Sequence, residues 1–160
     1  FRRVLFRSPG IGEPVFDKLD ASLGKAMLSI GAVKGFEIGS GFEAAKMTGS
    51  ENNDSFVMKD GKLTKKTNHA GGVLGGMSDG SNIVFRAAVK PTPSISAVQD
   101  TVNKDGENIE ISIKGRHDPM IVPRAVVVVE AMTALTLVDL IFENMTARLD
   151  GICAFYNRSK

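Results

Sequence analysis

Several residue types that often carry function are scarce in this sequence. It has no tryptophan and one tyrosine, too few for the aromatic platforms on which single-stranded nucleic acid stacks. Cys153 is the only cysteine, which excludes an internal disulfide and is typical of a reducing compartment. The two histidines, His69 and His117, do not form a zinc-binding spacing with it. We therefore predict no nucleic-acid partner, no disulfide framework and no metal site.

The sequence also lacks an uninterrupted apolar run of the roughly 18 residues that a membrane span requires. The longest candidate, 125–142, contains Glu130 and Asp139. We therefore predict that this stretch is a buried element and that no membrane is involved. A hydrophobic content of 42% and a charged content of 24% are close to globular averages, so one domain with a sizeable core is expected.

The net charge of +2 depends on the first eight residues. Segment 1–8 reads FRRVLFRS and resembles a translated sequencing-adapter oligonucleotide, although a basic N-terminal extension or a short targeting segment are the alternatives. Its apolar part is shorter than the roughly 7 to 15 residues of a signal-peptide core. Without the three arginines of this segment, 17 of the 20 basic residues remain against 18 acidic ones. The formal charge is then −1, which gives no reason to expect nucleic-acid binding.

Two helices are predicted from apolar spacing. Intervals of three and four between apolar residues predict a helix from about 15 to 30, with Gly31 as its C-cap. A long helix is predicted from Pro123 to about 149, entered through the proline. We expect its apolar stripe to consist of Ala131, Leu135, Val138 and Phe142. The domain is expected to span 9–149, followed by a tail at 150–160.

The predicted strands, together with the two predicted helices, indicate an α/β (α+β), sandwich-like domain. They are expected at 32–38, at 83–89, and in a half-buried strand carrying Ile109, Ile111 and Ile113, with which 98–102 pairs across a turn. The polar segment 43–70 is predicted to be a long excursion with a turn at Asp60 and Gly61. Loops of this length in compact domains are usually functional or disordered.

Three segments are candidates for a functional site. In Gly115-Arg116-His117-Asp118-Pro119, the Arg116 guanidinium suits phosphate or carboxylate, and Asp118 is a potential base; the alternative is a surface ion pair. In Lys90-Pro91-Thr92-Pro93-Ser94, an ammonium and two hydroxyls suit a phosphate, and the alternative is a proline-broken strand end. The paired glycines at 71–72 and 75–76 match no nucleotide-binding fingerprint and alone indicate a tight turn.

Together these segments resemble the chorismate synthase family. Gly12 to Phe42 is similar to the family's stretch around KLDA and AVKG-EIG-GF, and TNHAGGVLGG at 67–76 resembles its N-x-AGG-x-x-GG block. KPTPSI at 90–95 resembles its KPT-x-SI block. GRHDP at 115–119, followed by PRA and EAM, matches its GRHDP…PRA…EAM signature. The blocks occur in the family's order over residues 9–149.

The resemblance implies a fold, a reaction and a cofactor. The fold is the C-terminal part of the family's β-α-β sandwich. The enzyme is a carbon–oxygen lyase of the shikimate pathway, which makes aromatic amino acid precursors. It converts 5-enolpyruvylshikimate 3-phosphate (EPSP) to chorismate and phosphate by anti-1,4 elimination. Reduced FMN (FMNH2) is its cofactor, and the flavin is reduced either by the enzyme itself with NADPH or by an external reductase. A cytoplasmic homotetramer is expected.

The resemblance also implies residue roles. Asp118 matches an aspartate that acts with flavin N5 to remove the C6 proton of the substrate, and Arg116 lies where the flavin and substrate sites meet. The flavin contacts are expected at Gly31, Ala32, Gly75, Lys90, Pro91, Thr92, Pro93, Ser94 and Arg116. Gly31 departs from the family, which often has asparagine at this position, and so does Met120, where a small residue or cysteine is common.

The family's two catalytic histidines and most of its substrate-binding arginines lie N-terminal to the matched blocks. Neither His69 nor His117 takes their role. The 160 residues are therefore expected to be a fragment that is inactive by itself. The alternatives are a non-catalytic module that binds FMN or another phosphate ligand, and a structural domain whose polar loops serve subunit assembly.

Overall fold

The computed structural model describes residues 2–4, 8–115 and 120–157, and it has the α+β composition that the sequence predicts. The helices are α1 (Leu19–Leu28), α2 (Val122–Met145) and α3 (Leu149–Asn157), with a 3-10 helix at Gly41–Lys46. The strands are β1 (Arg2–Val4), β2 (Val33–Ile38), β3 (Phe56–Lys59), β4 (Lys62–Lys65), β5 (Val73–Leu74), β6 (Met77–Ser78), β7 (Ile83–Val89), β8 (Val98–Val102) and β9 (Asn108–Ser112).

The central sheet is a three-stranded antiparallel sheet in the order β1-β7-β2. Strand β7 alternates in burial, with Ile83 and Phe85 fully or almost fully buried, so one face of the sheet contacts the core. Helix α1 lies on that face through its buried residues Leu19, Leu23 and Met27. The sheet and α1 therefore form the two layers to which the remaining segments attach.

Helix α1 is shorter than the sequence predicts at both ends. Phe16 has a φ of 58°, which interrupts a right-handed helix, so the helix begins at Leu19. It ends at Leu28 with Ser29 as C-cap, and the prediction of Gly31 as the cap is wrong. The left-handed residue in this connection is Ala32, with a φ of 70°. Sequence patterns favour glycine for such a position, which explains the error.

Helix α2 packs with a different face from the one predicted. Its buried residues are Val129, Thr133, Leu137 and Leu140. The three apolar ones belong to the core cluster that includes residues of α1, and the two helices contact each other. The predicted stripe is exposed: Leu135 is 65% and Phe142 is 62% accessible. Because α2 is apolar nearly all round, its periodicity does not determine which face is buried.

The prediction that the stretch 125–142 is buried is also wrong within the described chain. By length and composition, α2 qualifies as a helix that could cross a membrane. Only 22% of its most apolar 18-residue window is buried. Most of its apolar surface is therefore left uncovered by residues 8–115 and 120–157.

Three hairpins extend from the sheet and helix layers. The β3–β4 hairpin turns at Asp60 and Gly61, where the sequence predicts a turn. Their φ values of 52° and 72° are the positive values that a two-residue hairpin turn favours. The β8–β9 hairpin has the predicted pairing, but Ile109 and Ile111 are exposed. The expected half-buried face is wrong within the described ranges, because neither face of that hairpin is covered by a second layer of described residues. Residues 150–157, which were expected to lie in a tail, belong to α3, whose first residue is Leu149.

Candidate functional site

The residues with the strongest predicted chemistry, Arg116 and Asp118, lie outside the described residues. Strand β9 ends at Ser112 and helix α2 begins at Val122, so the segment that carries them connects this strand to this helix. Their roles as flavin and substrate contact and as base stay predictions. The other predicted contacts can be located.

Two of the predicted segments meet at the edge of the sheet. The backbone N–H of Lys90 donates a hydrogen bond to the carbonyl oxygen of Ala32, with an N···O distance of 2.8 Å. Strand pairing brings this about, because Val33 at the start of β2 lies opposite Val89 at the end of β7. The positive φ of Ala32 turns the chain from α1 into β2 at this point. A Cβ added at Gly31 would meet no described atom within 4 Å, so the backbone there has open space beside it.

The segment from Lys90 to Ser94 continues from β7 as an extended loop. Lys90 is exposed, and Thr92 and Ser94 are partly buried. Gln99 Nε2 donates to the Pro93 carbonyl oxygen at 3.2 Å, which ties the loop to the β8–β9 hairpin. The Thr92 hydroxyl oxygen is buried and has no hydrogen-bond partner among the described residues. A buried hydroxyl without a partner is uncommon in native structures and is one mark of a site that a ligand completes.

Gly75 lies in the tight turn between β5 and β6. Gly75 and Gly76 have φ of 61° and 91°, which the two central positions of such a turn require. A Cβ at Gly76 would lie 2.6 Å from the Glu13 carbonyl oxygen, whereas one at Gly75 would meet no described atom within 4 Å. Gly75 therefore presents an open backbone, while Gly76 is packed.

The structure does not bring Gly75 next to the other contacts. The Leu19 N–H donates to the Gly76 carbonyl oxygen at 2.7 Å, so the turn lies at the N-terminal end of α1. Gly31 and Ala32 follow the C-terminal end of the same helix. Ten helical residues at about 1.5 Å each separate the two places by roughly 15 Å. The predicted flavin contacts among the described residues therefore form two groups, one at each end of α1.

Asp54 is a polar centre that the sequence patterns do not reveal. Its Oδ1 accepts hydrogen bonds from the Thr67 hydroxyl and the His69 N–H, both at 2.7 Å, and its Oδ2 accepts one from the Ala70 N–H at 2.9 Å. Burial alone would raise the pKa of Asp54, but the hydrogen bonds from Ala70, Thr67 and His69 outweigh it and hold this pKa below its ordinary value. The side chain therefore acts as an ionised acceptor of three donors.

The same loop has further contacts on its other side. The His69 ring Nδ1 is 2.8 Å from the Ser40 hydroxyl oxygen, and Asn68 Nδ2 donates to the Asn82 carbonyl oxygen at 2.9 Å. His69 thus has a structural partner, and within the described ranges no three potential metal-ligating side chains come together. The only sequence signal for this cluster is the polar excursion at 43–70, which indicates function without naming a residue.

A buried ion pair joins the β3–β4 hairpin to the segment after β6. Lys65 Nζ donates to Asp79 Oδ2, and both side chains are less than 10% accessible. Burial raises the pKa of the Asp79 carboxyl, but the hydrogen bonds from Lys65 and Ser81 exceed that effect and lower this pKa overall. This pair holds the excursion against the β5–β6 hairpin that carries Gly75.

The chain has extensive matches among known proteins. The family model described as chorismate synthase matches residues 4–142. The chorismate synthase of Lachnospira eligens is 76% identical over 98% of this chain, and that of Methanosarcina mazei is 66% identical over 81% of it.

A solved structure agrees with these relatives. A crystal structure of chorismate synthase superposes with a TM-score of 0.69 at 34% identity, covering 89% of this chain and 36% of the other. This chain spans 43% of the length of the Lachnospira protein and 36% of the Methanosarcina protein. With a family match over most of its length and a shared fold, the chain belongs to the chorismate synthase family.

Proposed function

We propose that this chain forms the flavin-binding side of a chorismate synthase, which converts EPSP to chorismate and phosphate with reduced FMN as cofactor. The observation that carries the proposal is the junction of Ala32 and Lys90. Two segments that are far apart in sequence, and that were each predicted to contact the flavin, share a hydrogen bond at one edge of the sheet.

The residues at this edge suit a flavin with a phosphate group. The buried hydroxyl of Thr92, which has no hydrogen-bond partner among the described residues, is a donor suited to phosphate. The exposed ammonium of Lys90 supplies a positive charge for the same group. The open backbone at Gly31 allows a planar ring to approach closely. When bound, reduced FMN would supply an electron-rich ring for the elimination.

The chain's own residues would handle the proton and the leaving group. In the elimination, the C6–H bond and the bond between C3 and the phosphate oxygen break. The double bond already in the ring shifts and a second one forms, which gives a conjugated diene. We assign acceptance of the proton to the Asp118 carboxylate. We assign stabilisation of the departing phosphate to Arg116, whose permanent charge and paired donors suit the developing anion.

We further propose that the active protein is a cytoplasmic homotetramer. Large apolar side chains remain exposed on α2 and on the β8–β9 hairpin, among them Val127, Leu135 and Ile111. Exposed apolar surface of this extent is typical of surfaces that another protein segment covers. Both additional sequence from the family's N-terminal part and further subunits would provide such cover.

A chimera tests the proposed function. Residues 9–149 replace the corresponding segment of the 76% identical Lachnospira eligens protein, and EPSP turnover is measured anaerobically with reduced FMN. We expect the chimera to release chorismate and phosphate and the 160-residue chain alone to release neither. The unchanged Lachnospira protein is the positive control, and a folded chimera without turnover beside an active control would contradict the proposal.

FMN titration of the isolated chain separates the alternative of a non-catalytic module. Quenching of flavin fluorescence by the chain, together with an inactive chimera, would favour a binding module over an enzyme part.

A further inference from the structure

The carboxylate of Asp54 organises the turn that leads into the glycine-rich hairpin. It accepts the Thr67 hydroxyl and the backbone N–H groups of His69 and Ala70, with distances of 2.7 to 2.9 Å. The Thr67 hydroxyl also lies 3.4 Å from the Asn53 carbonyl oxygen. One side chain from the excursion thus holds both ends of a four-residue segment.

The two glycines between this segment and the β5–β6 hairpin are closely packed, so the position of the segment affects the position of the hairpin. Gly71 is so closely packed that an added Cβ would lie 2.4 Å from the Gly39 nitrogen and 2.7 Å from the Val84 carbonyl oxygen. At Gly72 the Cβ would lie 2.6 Å from the Asn82 carbonyl oxygen. Strand β5 begins at the next residue, and Gly75 follows it. A shift at residues 67–70 therefore has no room to be absorbed before the turn.

Asp54 also lies beside the hairpin in space. A cavity of about 310 Å³ is bordered by Asp54, Ala70 and Leu74 together with Lys65 and Phe56. Leu74 is the residue directly before Gly75. The ammonium of Lys65 is bound to Asp79, and its charge also helps to lower the pKa of Asp54. The three hydrogen bonds to Asp54 come from residues 67–70 alone.

We propose that Asp54 is a positioning residue of the flavin site, which acts through residues 67–70 to hold the open backbone of Gly75 toward the cofactor. The inference rests on the proposed function. It predicts that the loss of this carboxylate weakens flavin binding and leaves the chemistry of bound enzyme largely intact.

The test is Asp54→Asn in the chimera, with FMN affinity, turnover at saturating FMN and melting temperature measured together. Asparagine places an amide donor where one carboxylate oxygen accepts, so it cannot keep all three hydrogen bonds. We expect the Kd for FMN to rise roughly 10-fold, as for the loss of a hydrogen bond to a charged acceptor, with kcat within about 2-fold. Asp60→Asn is the matched control, because it removes the same charge at an exposed hairpin turn where asparagine tolerates positive φ.

Each outcome decides between the two proposals. An unchanged Kd for FMN together with a lowered melting temperature overturns the positioning role and leaves the proposed function standing. If the chimera without substitutions does not bind FMN, both proposals fall. If Asp54→Asn does not fold, Thr67→Val removes one of the three donors alone, and its Kd should rise about 3-fold; no rise overturns the inference.

Discussion

At the scale of single residues, Ala32 has the most unusual backbone near the proposed flavin site. It has a φ of 70° without being glycine, a conformation that costs about 1 kcal/mol or more for a residue with a Cβ. Its carbonyl oxygen accepts the Lys90 N–H. The strained residue is thus also the residue that joins the two predicted flavin segments.

Asp118 is the residue for which the proposed chemistry makes the sharpest prediction. Asp118→Asn in the chimera removes the proton acceptor and keeps the size of the side chain. We expect turnover to fall by roughly 100- to 10,000-fold and the Kd for FMN to change little. Stopped-flow turnover and fluorescence titration measure the two quantities. Equal losses in both would assign Asp118 a structural role.

At the scale of elements, the tight packing of the 67–76 loop depends on glycine. Gly71 approaches Gly39 and Val84 in a positive-φ conformation. The atoms of Gly39 and Val84 that a Cβ at Gly71 would meet are backbone atoms. They cannot move aside as a flexible side chain can. The segment leads from β4 into the β5–β6 hairpin, and its glycines act as packing residues as well as turn residues.

Gly71→Ala should strongly destabilise the chimera. The positive φ alone costs about 1 to 2 kcal/mol, and the contact of 2.4 Å with the Gly39 nitrogen adds to it. Gly49→Ala is the matched control, since its Cβ would meet no described atom within 4 Å. Denaturant unfolding measures both variants. Equal free energies of unfolding for the two would contradict the packing role of Gly71.

At the scale of the whole molecule, helix α2 leaves most of its apolar window uncovered by the described residues. Val129, Leu137 and Leu140 are buried in the core cluster that includes residues of α1. Val127, Leu135 and Phe142 are exposed. A helix that is apolar all round is expected where protein or lipid surrounds it. Membership in the chorismate synthase family favours cover by protein.

We therefore expect the isolated 160-residue chain to bind the apolar dye ANS and to self-associate, because its exposed patches are not covered. The chimera should bind much less dye per mole of folded chain. Dye fluorescence and sedimentation at matched concentrations compare the two. Equal dye binding by both would contradict the view that the family's remaining sequence covers α2, and recovery of the chimera with membranes would favour lipid instead.

Much of the fold follows from local sequence patterns. Strand β7 has the predicted bounds, and the pairing of β8 with β9 and the turn at Asp60 and Gly61 are confirmed. These features depend on alternation and on turn chemistry between neighbouring residues. The predicted C-cap of α1 is wrong because the left-handed conformation in that connection belongs to Ala32, which is not a glycine. The predicted packed face of α2 is wrong because the sequence of a helix that is apolar nearly all round does not show which face is buried.

The sequence by itself determined the family, through four ordered blocks of motifs, and with it the candidate flavin residues. Only the tertiary structure decided which of them lie together. Pairing of β2 with β7 joins Ala32 to Lys90, whereas the length of α1 separates this edge from Gly75. The hydrogen bonds of Asp54 were likewise decided by the tertiary structure. The three donors come from a segment that the chain reaches only after the β3–β4 hairpin. Strand pairing and side-chain hydrogen bonds of this kind depend on three-dimensional proximity, which local patterns do not encode.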